Sequence, residues 1–353
     1  MAKKTLHLLK ELIRTPGLSG YEESVRNILR KKWKPLTDDL QVSPLGSLIG
    51  FRQGTLPEPR PGILLATHMD AIGMMVTGIV DGFLRITAIG GIDPRVLPGQ
   101  LVTVHGSEDL PGIVVQPPAH LLPAEFAKKP VPMKYLLVDT GLSTAEVEKA
   151  VRVGTLVSFA QEPLVMGKNT LAGHSLDNRS SVAALTRCLS RLSRHNHLWD
   201  VWAVATVQEE ETMAGALTSA FQLRPQLAIA IDVTFAEGPG TSPDKAFPMG
   251  EGLTLGWGPN AHPRLYEAVA ESARNAEIPF KLEPMPSHSG TDAYGLQIAA
   301  EGIPTMVISI PLRYMHTPVE MISVKDVKRA ARLLTAFISG LDKHFMKKIQ
   351  YPL

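Results

Sequence analysis

The chain has 353 residues, of which 44% are hydrophobic and 20% charged, with a formal net charge of +2. This is a globular composition without a charge block, so it implies no polyanionic partner such as a nucleic acid. The length exceeds what one ordinary core needs and predicts two domains, or one large domain with an insertion.

The single cysteine, Cys188, rules out an intrachain disulfide framework and fits a reducing compartment; as a free thiol it reads as a small buried residue on a helix. The opening Met-Ala-Lys-Lys-Thr-Leu has no apolar signal core, and no run reaches the ~18 apolar residues of a membrane helix. The expectation is a cytoplasmic protein with no membrane association.

In chain order, residues 6–14 read as an amphipathic helix with Leu6, Leu9, Leu12 and Ile13 on one face. Thr15-Pro-Gly-Leu-Ser-Gly20 breaks it, and Ser19 is a candidate cap for a second helix running to about Lys34. Short strands are expected at 40–42 and 48–52, and a proline-rich surface turn at 54–62. Gly62-Ile-Leu-Leu-Ala-Thr67 is an apolar run ending in His68-Met69-Asp70, which reads as a central buried strand with two metal-type side chains at its tip.

From 71 to 162 the texture changes to short Val/Ile-rich pieces, at 73–79, 83–89, 101–105, 112–115, 135–139 and 155–159, separated by Gly, Pro and Asp. That pattern predicts an inserted small β-barrel or sandwich with one short helix at 144–151. Residues 117–133 hold five prolines and read as a long loop. From Asn169 onward helices and strands alternate. Helices are expected at 180–193, 213–221, 263–276, 291–301 and 324–341, and strands at 201–207, 227–231, 279–283 and 304–310. The whole is an α/β protein: a mostly parallel sheet flanked by helices, interrupted by the β-rich insertion.

Five polar sites fall at strand tips or in adjacent loops: His68/Asp70, Asp177, Glu209/Glu210, Asp232 and His316. Each has an ordinary explanation alone. His-x-Asp suits a capped turn, Asp177 a helix N-cap, the acidic run a helix start, Asp232 a turn, and His316 a loop. Parallel strands side by side would bring all five together. Two imidazoles with several carboxylates suit Zn²⁺, Co²⁺ or Mn²⁺, and five donors are enough for two ions sharing one carboxylate. Composition and spacing do not separate the roles of Glu209 and Glu210.

Six segments carry a family resemblance. They are Ala66-Thr-His-Met-Asp-Ala-Ile-Gly73, Ser175-Leu-Asp-Asn-Arg179, Val207-Gln-Glu-Glu210, Ile231-Asp-Val-Thr234, Gly290-Thr-Asp-Ala293 and Pro311-Leu-Arg-Tyr-Met-His-Thr-Pro-Val-Glu320. In this order, and with Gly17-Leu-Ser-Gly-Tyr-Glu22 and Gly90-Gly-Ile-Asp-Pro-Arg95 beside them, the chain resembles the tetrahedral (TET) aminopeptidases of metallopeptidase clan MH, the glutamyl aminopeptidase and "cellulase M" relatives, over nearly its whole length.

The resemblance implies a phosphorylase/hydrolase-like catalytic domain from 1–70 and 163–353, with a PDZ-like assembly domain at 71–162. It implies that Asp177 bridges two divalent ions (Zn or Co, with Mn acceptable), that His68 and Asp232 complete one site, and that Glu210 and His316 complete the other. Glu209 is then the general base acting on a water shared by the ions, and Asp70 orients His68. The implied activity is removal of N-terminal residues from short or unfolded peptides, inside homo-oligomers in which dimers assemble to a dodecamer. Other clan MH activities (carboxypeptidase, dipeptidase, deacylase) use nearly the same residues, and a non-catalytic peptide-binding assembly protein is the alternative from another class.

The chain departs from the family pattern at Glu211-Thr212, where Val-Gly is common, at Asn178, where Asp is common, and at Ser47, where Asn is common. Arg95, Arg313 and His288 are candidate substrate-side residues that would favour acidic side chains.

Overall fold

A computed structural model describes residues 2–126 and 129–351. The amphipathic α1 (Ala2–Arg14) and α2 (Glu23–Trp33) lead into strands β1 (Asp39–Val42), β2 (Leu48–Arg52) and the fully buried β3 (Gly62–His68). Six strands follow: β4 (Gly73–Val80), β5 (Phe83–Ile89), β6 (Leu101–His105), β7 (Asp109–Val115), β8 (Leu137–Asp139) and β9 (Leu156–Phe159), with α3 (Thr144–Ala150) between the last two. They close into an antiparallel barrel in the order β4-β5-β8-β7-β6-β9. Inward residues such as Met74, Val76, Leu84, Ile86, Val102, Val104 and Val157 fill it, which gives it a core of its own. The long loop expected at 117–133 contains short 3₁₀ turns at Ala119–Leu121 and Ala124–Phe126, and residues 127 and 128 lie outside the described residues.

The chain then returns to the first sheet. The elements are β10 (Leu164–Met166), β11 (Thr170–Gly173), α4 (Leu176–Leu192), β12 (Asp200–Thr206), the single turn α5 (Glu209–Thr212), α6 (Ala214–Leu223), β13 (Leu227–Phe235), β14 (Leu253–Trp257), α7 (Pro263–Asn275), β15 (Phe280–Pro284), α8 (Asp292–Gln297), β16 (Thr305–Arg313), β17 (Glu320–Ser323), α9 (Val324–Gly340) and α10 (Phe345–Ile349). Among the described residues the sheet has 11 strands, with the path β1-β2-β12-β3-β13-β16-β17-β11-β10 and with β14 and β15 branching from β16.

The centre, β12-β3-β13-β16, is parallel as the alternation of helix and strand predicts. The wings are antiparallel, so the sheet is mixed. β1 to β2 and β10 to β11 are joined by short turns, which can only reverse the chain, while β2 and β11 meet β12 and β17 antiparallel across long connections. Along β3 the side chains alternate between two cores. Ile63 and Leu65 join Leu185, Leu189 and Leu334 on one face, while Leu64 and Ala66 join Ala216, Ala220 and Leu296 on the other. Helices therefore cover both faces.

Two boundaries differ from the sequence reading near the acidic run. The helix expected from Met213 starts at Ala214, because Met213 has φ 56°, a left-handed conformation that separates α5 from α6. At the head of α4, Asp177 is not the N-cap. Ser175 occupies that position, and Asp177 and Asn178 have non-helical backbone, so the regular helix begins after them.

Candidate metal centre

Parallel pairing aligns the carboxyl ends of β12, β3, β13 and β16 along one edge of the sheet, where ligands bind in α/β folds. His68 is the last residue of β3 and stands opposite Thr206 of β12. Glu209 and Glu210 follow β12 by one turn, Asp232 lies on β13, and His316 follows β16. Asp177 enters from the head of α4.

These side chains converge. His68 Nε2 lies 3.2 Å from Asp177 Oδ1 and 3.7 Å from Asp232 Oδ1. His316 Nε2 lies 3.3 Å from Glu210 Oε2 and 3.6 Å from Asp177 Oδ2. They form two compact donor sets, His68/Asp177/Asp232 and Asp177/Glu210/His316, each with its ligand atoms within 4.8 Å of one another. The two oxygens of Asp177 thus face different histidines. Glu209 belongs to neither set, although its Oε2 is 3.7 Å from His68 Nε2.

Backbone strain marks the same region. Five non-glycine residues with positive φ surround the cluster: Ser175, Gln208, Met213, Tyr314 and His316 itself. Such conformations persist only where surrounding contacts impose them, and here those contacts are visible. Asp70 is fully buried and accepts from the backbone N–H groups of Glu209 (3.1 Å) and Glu210 (3.2 Å). Its Oδ1 also lies 3.4 Å from His68 Nδ1. One carboxylate therefore reaches both the imidazole and the acidic turn. Glu22 accepts from the N–H of Gln208 at 3.2 Å and of Gly20 at 2.6 Å, tying the N-terminal segment to that turn.

Glu320 is buried and was not singled out as a site residue. It accepts from the N–H of Asp177 at 3.0 Å and of His316 at 3.1 Å, so it spans both donor sets from behind. Asn178 donates to the Ile231 carbonyl at 2.9 Å, and Arg179 donates to the carbonyls of Leu12, Thr15 and Gly17. Asn178 in place of the common Asp is thus accommodated by a backbone bond.

Glu211 belongs to neither donor set and bonds to the barrel. Its Oε1 accepts from the Gly90 N–H at 2.6 Å, on the loop that leaves β5 of the barrel. That loop sits close to the centre: a Cβ on Gly91 would meet His316 Nδ1 at 2.8 Å, and one on Gly90 would meet Glu210 Cβ at 3.5 Å.

Charge is heavily frustrated in this arrangement. Burial pushes the carboxyls of Glu209 and Glu210 well above the ordinary range. Burial also raises Asp232, Glu320 and Asp292, the last to about 7. Burial by itself would lower the pKa of His68, but Glu209, Asp177, Asp232 and Asp70 outweigh it and push the ring well above its ordinary value. Carboxylates packed this way compete for any positive charge. Separations of 3.2–3.7 Å are long for direct hydrogen bonds, yet donors held ~2.0–2.2 Å from a tetrahedral ion stand ~3.3–3.5 Å apart. The residues fit divalent ions.

A cavity of about 380 Å³ opens over the cluster. Besides the donors, Met213, Phe235, Glu283, Met285, Thr291 and Met315 line it. A larger cavity, about 640 Å³, lies between α7, α9 and α10 and holds none of the donor residues, so it is not the reaction site. Of the candidate substrate-side residues, none lines the 380 Å³ cavity. Arg313 donates to the Glu237 carbonyl, Arg95 pairs with Asp93, and His288 is exposed with its ring 5.9 Å from that of Tyr294.

Comparison with known proteins gives a consistent result. Residues 46–333 match the family described as M42 glutamyl aminopeptidase. The lysyl aminopeptidase of Pyrococcus furiosus is 35% identical over 340 residues, covering 95% of this chain and 96% of that one. The crystal structure of a TET aminopeptidase from a marine-sediment Thaumarchaeota archaeon superimposes with a TM-score of 0.94 at 32% identity, covering 99% of both chains. The Pyrococcus horikoshii TET1 peptidase, which can assemble into a tetrahedron or a large octahedral shell, matches with a TM-score of 0.83 at 30% identity, over 96% of this chain and 100% of that one.

Proposed function

The chain belongs to the M42 glutamyl aminopeptidase family, and from that premise we propose that it is an aminopeptidase that releases N-terminal residues from short or unfolded peptides with two divalent ions. His68 and Asp232 hold one ion, Glu210 and His316 the other, and Asp177 both. The observation that carries this reading is the division of Asp177 between His68, at 3.2 Å from Oδ1, and His316, at 3.6 Å from Oδ2. Zn²⁺, Co²⁺ and Mn²⁺ all accept imidazole with carboxylate. Ions bound there supply Lewis acidity, polarising a carbonyl and lowering the pKa of water.

The protein's own groups do the rest. Glu209 stands beside the donor sets with a free carboxylate, so it takes a proton at its carboxylate and returns it to the leaving amine. Asp70 keeps His68 and the Glu209–Glu210 turn in register through the bonds described above. An acidic cleft favours a peptide's free ammonium terminus over a blocked one.

Residues 1–70 and 163–353 act as the catalytic domain, and 71–162 as an assembly domain. Homo-oligomerisation through dimers to a dodecamer would enclose the sites and restrict entry to unfolded chains. Among the described residues no helix is long and apolar enough to cross a membrane. A single buried thiol supports a reducing, cytoplasmic setting.

The decisive experiment pairs turnover with ion content. Chelation should abolish cleavage of free-amino peptides, and added ion should restore it. Glu209→Gln should keep the ions while turnover falls by about 10²–10⁴-fold, whereas Glu210→Gln should lose ion. Normal turnover in Glu209→Gln removes that residue as base. Preference for N-acetylated peptides would instead favour another hydrolase of the same clan.

A further inference from the structure

Glu283 lies on β15 and forms part of the wall of the 380 Å³ cavity, yet belongs to neither donor set. Its Oε1 accepts from Thr234 Oγ1 and its Oε2 from Thr254 Oγ1, each at 2.5 Å. Both donors are neutral hydroxyls, and among the described residues no Lys, Arg or His pairs with it. It is therefore a largely buried carboxylate oriented by two threonines, with no cationic partner. Two strategically placed hydroxyls fix a carboxylate but leave its charge uncompensated.

Its position relative to the metal donors gives that charge a purpose. Thr234 is two residues beyond Asp232 on β13, so both project from the same face of the strand. Two strand residues advance ~6.7 Å, a length similar to the four-carbon stem and ammonium of lysine. The same cavity is lined by Met213, Met285, Met315 and Phe235, apolar surface suited to a methylene chain.

Resting on the aminopeptidase reading above, we propose that Glu283 is the specificity-determining residue of the pocket for the substrate's first side chain, and that this pocket takes a basic residue, lysine or arginine. The ammonium or guanidinium meets the carboxylate that Thr234 and Thr254 hold in place. An acidic first residue would bury a second carboxylate beside Glu283, so the adjective in the family's description does not describe this pocket. A leucine fills the apolar part and leaves Glu283 without a partner.

The test is a ranking of aminoacyl chromogenic substrates with Lys, Arg, Leu, Ala and Glu as first residue, on ion-loaded protein. Lys and Arg should have the highest kcat/KM and Glu the lowest. Glu283→Gln, which keeps the size and one acceptor, should lower the Lys-to-Leu ratio of kcat/KM by about 10- to 100-fold, the worth of a hydrogen bond to a charged group. The same change is read without turnover as the affinity for L-lysinamide relative to L-leucinamide. Cleavage with a flat ranking, or with Glu preferred, overturns the assignment while leaving the aminopeptidase reading intact. Absence of cleavage for every substrate overturns both. If Glu283→Gln does not fold, the ranking of the unmodified protein decides alone.

Discussion

Glu320 accepts one backbone N–H from each donor set, Asp177 through Oε2 and His316 through Oε1. A glutamine there keeps one acceptor and turns an amide N–H₂ toward a second N–H donor, so one bond becomes a repulsion. Glu320→Gln is therefore expected to weaken ion affinity by about 10- to 100-fold, the usual cost of losing a group that orients ligands, measured by ion titration on the stripped protein. Cys188 provides a control at the same scale. It is buried under α9 beside Thr335, and burial pushes its thiol up to about 12. It should resist thiol reagents in the native protein at neutral pH and react fully in denaturant.

The five candidate donors that the structure brings together were legible as candidates in the sequence because each follows or ends an apolar run whose period marks a strand, or opens a helix. Glu320, Glu283 and Asp292 were not. Their burial comes from partners far along the chain, Asp177 for the first, Thr234 and Thr254 for the second, Thr206 for the third, and no local spacing announces such partners.

Short turns between elements hold the geometry at the next scale up. The turn after β12 is clamped by Asp70 from β3's tip, by Glu22 from the N-terminal segment and, through Glu211, by the barrel loop at Gly90. Glu211 is where the chain leaves the family pattern, and its carboxylate ties the acidic turn to the barrel loop at Gly90. Removing it as Glu211→Ala should raise KM by about two- to tenfold, the worth of one hydrogen bond, with a smaller change in kcat. Gly91→Ala should act differently. Its Cβ would press on His316 Nδ1 at 2.8 Å, so bound ion should fall first and turnover with it.

The parallel centre of the sheet was readable from alternating helix and strand. The antiparallel wings were not, since local periodicity reports a strand but not its neighbour. The strands β14 and β17 are not legible for a related reason: Leu253–Trp257 and Glu320–Ser323 are only five and four residues long, and β17 mixes polar with apolar positions on both faces.

Among the exposed apolar side chains of the described residues, two groups stand on neighbouring elements. Leu217 and Phe221 on α6 are exposed, as are Tyr294 on α8 and Ile298 just after it, and α6 packs against α8; on the barrel Leu101 stands opposite Ile113 across β6 and β7. Contiguous apolar surface on a soluble chain marks contact with another chain, which is what the proposed assembly needs. Phe221→Glu or Leu101→Asp is expected to lower the particle mass in light scattering while the subunit's melting cooperativity persists. Unchanged mass in both variants would place the contacts elsewhere.

The donors come from five separated places, His68, Asp177, Glu210, Asp232 and His316, spread over the sheet, α4 and the turns between them. Two ions held as proposed would bind the folded chain and find almost nothing to grip in the unfolded one. By mass action each ion at a hundred times its dissociation constant adds about 2.7 kcal/mol to folding stability. Stripped protein should therefore melt at a lower temperature, and its midpoint should climb with ion concentration. Scarcity of the ion would then do more than silence the enzyme: it would raise the fraction of opened chains available to proteolysis, so that the amount of the protein follows the supply of the ion.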